Sequence, residues 1–358
     1  MIFHRALIRE FAGLASAVFL TLFSIALTTR LIRLLGDAAG GKIPSDAVFA
    51  YLGFFSVSTL PVLLSLTLFV SVLLTLTRSY RDSEMVIWFN SGLSLTAWLG
   101  PVLKFALPLV ALIAATSLFL SPWAAQISQQ YRAGLEARDD VSRVDPGTFG
   151  ESGSHDRVFF VDSVGADKST VNNVFVNSVQ HQREGVMMSR TGRTETAPNG
   201  DRFLVLEDGQ RYEGSPGEAD YRVMRFGSYA TRIKSSEGER PAASHQDLST
   251  LALMRNPTDA NLGELVWRIG IPLAALILVL LAIPMSFVNP RAGRSVNLAF
   301  ALLTYVVYSN LLSVSQARVT LGRLDFSLGW WLVHAVMVAL LVVLFARRMR
   351  LIRLRLAR

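Results

Sequence analysis

Long stretches without charged side chains alternate with short polar connections along most of the chain. Six of these stretches run for 19 to 31 residues without Asp, Glu, Lys or Arg. A helix needs about 20 apolar residues to cross the roughly 30 Å hydrocarbon core of a bilayer. The pattern therefore predicts six transmembrane helices, built around residues 11–29, 47–77, 105–131, 269–290, 295–317 and 326–346.

The segment between the third and fourth stretches has a different pattern. It contains no stretch long enough to cross a membrane, and short runs within it alternate apolar and polar positions, as half-buried strands do. Asp208-Gly209 between two runs predicts a hairpin, and repeated strands with turn residues between them favour a sandwich or jelly roll. The runs cover residues 157–164, 173–179, 185–190, 202–207, 210–213, 221–226 and 229–233.

The predicted fold is an α-helical membrane protein of six helices, three before and three after an inserted all-β domain. We assign residues 1–131 to transmembrane helices 1–3, 132–267 to a jelly-roll-like extracytoplasmic domain, 268–346 to helices 4–6 and 347–358 to a basic tail. The edge strands of such a domain can accept a strand from another chain. A small β-domain that binds nothing is an equally open interpretation.

Positive charges in the short loops predict the orientation. The side that holds both termini carries 13 Lys and Arg residues, and the opposite side carries five. Cytoplasmic loops are enriched in Lys and Arg, so the first side is assigned to the cytoplasm. Both termini then lie in the cytoplasm, and the inserted domain lies outside it.

Composition agrees with a membrane protein and excludes several other classes. The 358 residues are 51% hydrophobic and 17% charged, whereas soluble proteins carry about 25% charged residues. The absence of Cys excludes a disulfide scaffold and a thiolate metal site. Residues 132–268 hold 17 basic and 21 acidic side chains, so the net charge of +8 comes from the membrane-flanking segments and does not indicate nucleic-acid binding.

A search for catalytic, cofactor and metal motifs finds none. The chain has no G-x-x-x-x-G-K-[ST], H-E-x-x-H or G-x-S-x-G sequence. The apolar stretches contain no Asp or Glu, whereas ion-driven transporters place such acids at mid-membrane. His334 follows Trp330-Trp331 and is expected at headgroup level. We therefore predict no catalytic residue, metal or cofactor in this chain, which is not itself an enzyme.

The cytoplasmic loop between helices 2 and 3 contains a candidate binding element. Asp82 or Ser83 can cap a helix, and Glu84 then falls in its first turn, where the helix dipole favours a negative charge. Gly92 suits the left-handed position that follows a helix. These signals predict a short helix over residues 84–91 that needs a partner, either a lipid surface or a docked protein. Its exposed apolar side chains are predicted to be Met85, Trp88 and Phe89.

Arginines at the outer ends of the predicted helices are the second candidate site. Arg30 and Arg33 lie three residues apart on one helical face after the first span, and Arg318 and Arg323 follow the fifth. In one interpretation these side chains anchor the helix ends at the membrane surface by snorkelling. In the other they bind an anionic headgroup or lipid phosphate, for which the guanidinium is well suited.

The order of elements and three short stretches together resemble a known family. The stretches are R-L-I-R-L-L-G at 30–36, the loop from Ser83-Glu84 to Ser91-Gly92-Leu93-Ser94, and S-F-V-N-P-R-A-G-R at 286–294. Over essentially its whole length the chain resembles the LptF/LptG permeases of the lipopolysaccharide export system. The first and third stretches are more similar to the LptF branch than to the LptG branch.

The resemblance implies a function and a set of partners. Members of this family pair as LptF–LptG heterodimers on two copies of the cytoplasmic ATPase LptB and take lipopolysaccharide from the outer leaflet of the inner membrane. Their periplasmic β-domains pass the lipid to LptC and a periplasmic bridge. By resemblance, the helix carrying Glu84 is the coupling helix that docks on the ATPase, and Arg30 and Arg33 lie near the lipid A phosphates. This shifts the interpretation of that helix from lipid towards protein docking.

A rival interpretation belongs to a different class of protein. The chain would then be a membrane-anchored scaffold or sensor whose β-domain binds a periplasmic partner. Such a protein needs neither an ATPase nor a lipid cavity. Six spans are more than an anchor requires, which counts against it.

Overall fold

The computed structural model describes residues 2–40, 43–137, 147–151, 157–164, 170–180, 183–196, 202–214, 221–234, 244–287 and 294–356. The chain divides into two compact units, one made of Met1–Gln129 with Ala243–Arg358 and the other of Gln130–Ala242. We call them the helical unit and the strand unit. The helical unit is discontinuous in sequence because the strand unit is inserted between its two parts.

Six helices in the described part of the chain are long and apolar enough to cross a membrane, as predicted. Three of them precede the strand unit in sequence and three follow it. The helices in chain order are α1 (Ile2–Ala39), α2 (Val48–Arg81), α3 (Glu84–Asn90), α4 (Leu99–Ala115), α5 (Ser121–Ala137), α6 (Thr250–Arg255), α7 (Asp259–Met285), α8 (Arg294–Thr320), α9 (Phe326–Gly329) and α10 (Leu332–Leu356).

Hydrogen bonding inside each long helix explains why these segments are helical. Hydrocarbon offers no partner to a peptide group, so a spanning segment must satisfy its own N–H and C=O groups. Hydroxyl side chains within the spans do the same: Thr29 donates to the Ile25 carbonyl at 2.8 Å and Thr75 to the Ser71 carbonyl at 2.9 Å. Between α4 and α5 the third span continues through a π-helical segment, Thr116–Leu120.

Helix α7 is the central helix of the helical unit and α1 the most peripheral of its long helices. In the 18-residue apolar stretch of each helix, 72% is buried within the chain in α7 and 6% in α1. Helix α7 packs against α2, α4, α8 and α10. Most residues of α1 are therefore partly or fully exposed within this chain and can make contacts outside it.

A buried arginine ties the N-terminal half of α7 to the segment that precedes it. The guanidinium of Arg268 donates to Glu264 at 2.8 Å and to the carbonyls of Leu248 and Gln246 at 2.9 and 3.1 Å. Its side chain is 3% exposed and that of Glu264 is 9% exposed. A buried charge is tolerated only when it is paired and hydrogen-bonded in this way. We call this arrangement the Arg268 clamp.

The clamp moves the boundary that the sequence predicted between the two parts of the chain. We expected the inserted domain to end at residue 267 and the fourth span to start at 269. Instead residues from Ala243 onwards belong to the helical unit, and α7 begins at Asp259. A search for charge-free stretches excluded this part of α7 because it contains Glu264 and Arg268, which neutralise each other inside the fold.

His334, which we expected at headgroup level, is buried between helices. It is 6% exposed and lies between α10 and α8, and its depth in the membrane stays a prediction. Its Nδ1 atom is 2.6 Å from the hydroxyl of Tyr308, which is fully buried. The residue is therefore part of the packing between these two helices.

The strand unit contains one antiparallel sheet of six described strands. Each strand pairs with its neighbour in sequence, giving the order β1-β2-β3-β4-β5-β6. The sandwich or jelly-roll arrangement that we expected is not confirmed, because the described strands form a single meander. The strands are β1 (Phe149–Glu151), β2 (Arg157–Val164), β3 (Thr170–Gln180), β4 (Arg183–Thr196), β5 (Arg202–Gly214) and β6 (Tyr221–Lys234).

One face of the sheet carries a small apolar core. Val174 pairs with both Val161 on β2 and Ser189 on β4, and Val176 pairs with Met187. The buried members of this core are Val161, Val171, Val174, Val176, Met187 and Leu206. This alternation of buried and exposed positions is the period of 2 seen in the sequence.

The hairpin predicted at Asp208-Gly209 is wrong. Strand β5 continues through both residues and pairs with β6 on either side of them. Asp208 has a positive φ of 50° inside the strand. A Cβ atom at Gly209 would lie 2.4 Å from the ring of Phe226 and 2.6 Å from the Met188 carbonyl oxygen, so glycine is required there by these close approaches rather than by a turn.

We predict that Arg268→Gln destabilises the helical unit by about 3–5 kcal/mol, since removal of one partner leaves a buried charge unpaired. Thermal unfolding of the purified chain in detergent measures the effect. Arg255→Gln, an exposed arginine on α6, is the control and should leave the unfolding temperature unchanged. Equal unfolding temperatures for the two variants would contradict the clamp.

Candidate functional site

Helix α3 occupies the loop between the second and third spans, where the sequence predicted a short helix over 84–91. It runs over Glu84–Asn90 and starts after Ser83, which has a positive φ of 61° and makes no capping bond with its side chain. The capping predicted for Asp82 or Ser83 is therefore not seen. The first turn instead follows directly from α2, whose last residue is Arg81.

The C-terminal end of α3 is formed as the sequence predicted. Gly92 has a positive φ of 86°, which glycine adopts at little cost. The Gly92 N–H donates to the Phe89 carbonyl at 3.0 Å and the Leu93 N–H to the Trp88 carbonyl at 3.1 Å. These two bonds are those of a Schellman motif, which satisfies carbonyls that the helix itself leaves free.

The orientation of α3 differs from the prediction. We expected Met85, Trp88 and Phe89 to be exposed, but Met85 is 1% exposed and the two aromatic residues are half-buried against the core of the helical unit. The exposed apolar residues are Val86 and Ile87, at 56% and 69%. The larger side chains hold the helix in place, because burying an aromatic or Met side chain removes a large apolar surface from water.

The exposed side of α3 forms a small apolar surface with an acid at one end. Its apolar members are Val86, Ile87 and Leu93, and Glu84 lies half-exposed at the start of the helix. We call these four residues the loop-helix face. Apolar side chains beside a charge on an otherwise polar loop are typical of a protein-binding surface.

An aromatic chain of contacts connects α3 with the ends of α2, α7 and α10. The Tyr80 ring lies 6.3 Å from the Phe89 ring and 5.5 Å from the Phe287 ring, measured between centroids. Arg348 on α10 lies 3.7 Å over the Phe287 ring and donates to the Pro284 carbonyl at 3.4 Å. At this position the predicted basic tail thus continues α10 and contacts the end of α7.

Arg78 places a positive charge between α1 and α3. One of its terminal nitrogens lies 2.6 Å from Glu10 Oε1 on α1 and 3.7 Å from Glu84 Oε1 on α3. All three side chains are partly exposed, between 33% and 43%. Sequence analysis did not select Glu10 or Arg78, because their contact depends on how α1 packs against α2.

The arginines predicted at the outer end of α1 lie on its surface. Arg30 is half-buried, with its guanidinium carbon 5.4 Å from the centre of the Phe55 ring on α2, and Arg33 is exposed. The Nε atom of Arg30 is buried and has no hydrogen-bond partner among the described residues. A guanidinium held on an aromatic face can still present its terminal N–H groups to an anion.

Arg318 and Arg323 are both exposed and flank the turn that ends α8. The Arg323 N–H donates to the Arg318 carbonyl at 2.9 Å, and Gly322 has a positive φ of 64°. This turn is a second Schellman motif. Helix α1 packs on α2 and α4, and α8 packs mainly on α7, with smaller contacts to α2, α9 and α10.

The chain is similar to known proteins over nearly its whole length. The model of a family described as "Lipopolysaccharide export system permease LptF/LptG" matches residues 5–347. The lipopolysaccharide export system permease protein LptF of Escherichia coli strain K12 is 27% identical over 347 residues, which is 96% of this chain and 94% of that protein. The protein of the same description from Shigella flexneri has the same identity and coverage.

We predict opposite effects of two substitutions in α3. Met85→Ala should lower the free energy of unfolding by about 2–5 kcal/mol, because it leaves a cavity in the core. Ile87→Ala should leave stability within about 0.5 kcal/mol, because its side chain already contacts solvent. Thermal unfolding of both variants in one detergent compares them. Equal destabilisation by both would contradict the orientation of α3.

Proposed function

Because its sequence matches the family over residues 5–347, the chain belongs to the LptF/LptG permeases of the lipopolysaccharide export system, and we propose that it is the LptF-type transmembrane subunit of an ABC transporter. In this proposal the chain extracts lipopolysaccharide from the outer leaflet of the inner membrane and passes it to a periplasmic bridge. A partner supplies the ATP hydrolysis.

The loop-helix face is the observation that carries this proposal. Lifting a lipid with several acyl chains out of a bilayer exposes CH₂ groups at about 0.8 kcal/mol each, so an energy source is needed. The sequence contains no phosphate-binding G-x-x-x-x-G-K-[ST] loop. We propose that a cytoplasmic LptB-like ATPase dimer docks on the chain, and Ile87, Val86 and Leu93 with Glu84 offer it an apolar surface and a charge.

Helix α1 supports pairing with a second permease. Its 18-residue apolar stretch is 6% buried within this chain, and it carries exposed residues such as Leu20, Ile25 and Ile32. We propose that α1 and α8 face an LptG-like partner across a cavity that holds the acyl chains. Apolar walls suit those chains because no polar group on the wall loses its hydration when the lipid enters.

The arginines at the outer ends of α1 and α8 are proposed to bind the phosphates of the lipid. Arg33, Arg318 and Arg323 are exposed, and Arg30 is held on Phe55 with an unused Nε donor. A guanidinium binds phosphate through two parallel N–H bonds, which fixes the headgroup as well as attracting it. Snorkelling at the membrane surface does not conflict with this role, since both place the guanidinium at headgroup level.

The strand unit is proposed to lie in the periplasm and to pass lipid to an LptC-like partner. Both termini then lie in the cytoplasm, as the excess of Lys and Arg in the loops on that side predicts. No described strand pairs with the outer edge of β6, and this edge can accept a strand from another chain. A jelly-roll arrangement of the complete domain belongs to this proposal.

The scaffold or sensor interpretation is the second candidate. It also makes use of the free edge of β6. It does not account for the loop-helix face on the opposite side of the predicted membrane, or for a match to permeases that covers all six apolar helices. The ATP-driven permease therefore accounts for more of the molecule.

Affinity purification of the chain from membranes in mild detergent tests the proposal. We expect a soluble ATPase and a second six-span protein to co-purify in stoichiometric amounts. Glu84→Lys and Ile87→Asp should each reduce the recovered ATPase about tenfold or more, because each places a wrong charge in a desolvated contact. Asp82→Asn, in the same loop, is the control. Recovery of the chain alone or as a homo-oligomer would favour the scaffold.

The double variant Arg30→Ala/Arg33→Ala tests the lipid site. We expect photo-crosslinking to lipopolysaccharide to fall about five- to tenfold, because the phosphate loses charge-assisted hydrogen bonds. Assembly with the ATPase should be retained. Lys104→Ala removes an exposed basic residue near the other end of the helices and should leave crosslinking unchanged. Unchanged crosslinking in the double variant would show that these arginines only anchor α1.

A further inference from the structure

Arg78 is shared between two carboxylates that belong to different helices. The same terminal nitrogen lies 2.6 Å from Glu10 on α1 and 3.7 Å from Glu84 on the loop-helix face. The Nε–H of Arg78 is buried and has no acceptor among the described residues. The guanidinium therefore serves both carboxylates through one terminal nitrogen, and the two acids compete for it.

The packing around Glu10 leaves open space between α1 and α2. Towards its N-terminus α1 is anchored by Leu7 and Phe11, which are 5% and 0% exposed. Beyond Glu10 an open pocket of about 370 Å³ lies between α1 and α2, with Leu14 of α1 on one side and Leu74 of α2 on the other. Helix α1 is packed again further along, where Ala15 and Leu34 are 8% and 2% exposed, so this space is local to the neighbourhood of Glu10.

Competition for one guanidinium links the two acids. When a positive group of a docked partner engages Glu84, Arg78 loses a competing acceptor, and its guanidinium can orient towards Glu10 alone. The contact with Glu10 is already at hydrogen-bond distance, so it becomes more persistent rather than shorter, and the effect is modest because an exposed ion pair is weak. A more persistent contact keeps this part of α1 beside α2 and limits how far Leu14 moves away from Leu74 across the open pocket.

We propose that Arg78 is a positioning residue that transmits occupancy of the loop-helix face to helix α1. This inference rests on the proposed function, since it takes Glu84 as the residue that the ATPase engages. It adds to that function a route by which docking on the cytoplasmic face reaches α1, the helix with the least buried apolar surface of the six.

The first test measures the distance between α1 and α2 in the purified chain alone. The chain has no Cys, so Leu14→Cys with Leu74→Cys introduces the only two thiols, one on each side of the open pocket. Glu84→Gln imitates withdrawal of that charge from Arg78. We expect it to raise the rate of oxidative disulfide formation about two- to fivefold, the range that an exposed ion pair supports.

Three controls give this test its specificity. Asp82→Asn removes an acid from the same loop. It should leave the rate unchanged, because the partner of Asp82 is Arg81, at 3.6 Å. Arg78→Gln or Glu10→Gln should abolish the effect of Glu84→Gln. High salt should reduce that effect, since screening weakens exposed ion pairs. An equal response to Glu84→Gln and Asp82→Asn, or a response that persists with Arg78→Gln, would overturn the proposal.

The second test uses the chain assembled with its partners. Arg78→Gln and Glu10→Gln should retain co-purification of the ATPase while lipid released per ATP hydrolysed falls at least twofold, and Arg81→Gln should change neither. Loss of the ATPase with Arg78→Gln would overturn the proposal by making Arg78 part of the docking surface. If the unaltered chain recovers no ATPase, the proposed function fails, and the disulfide rates still decide whether Arg78 links Glu84 to α1.

Discussion

The structure of the helical unit depends on one constraint, which is that hydrocarbon satisfies no polar group. The peptide groups of the spans are therefore held mostly within helices, and hydroxyls such as Thr75 bond to their own backbone. The only buried ion pair among the described residues is formed by Glu264 and Arg268, and backbone carbonyls accept the remaining donors of that arginine. Once these groups are satisfied within the chain, α7 can be surrounded by other helices.

The same constraint explains which parts of the fold the sequence predicts well. Long apolar stretches have few alternatives to a spanning helix, so the six helices follow from composition. Their ends do not, because charges can be neutralised inside: the Glu264–Arg268 pair made the start of α7 resemble a soluble segment. Asp208-Gly209 has the composition of a hairpin, but the ring of Phe226 over Gly209 makes it part of a strand. In both cases a distant contact decides the local structure.

In the candidate site, too, some features follow from local sequence signals and others depend on distant contacts. The position and C-terminal end of α3 follow from local signals, since Glu84 and Gly92 act within one turn of their own backbone. Its orientation depends on the core that it meets, and that core takes Met85 and leaves Ile87 in solvent. The contact of Arg78 with Glu10 depends on helix packing, so no spacing in the sequence reveals it.

Helices α7 and α1 differ in where they place their apolar surface. Helix α7 buries its apolar surface within the chain and is fixed by the Arg268 clamp. Helix α1 leaves most of its residues partly or fully exposed and is held towards its N-terminal end by Leu7, Phe11 and the shared charge of Arg78. A helix whose partner is a lipid or a second permease must be free to change neighbours, because a surface sealed within its own chain cannot open. The weak, exposed ion pair suits such a helix, since it can be strengthened or released by a change at α3 without breaking the core.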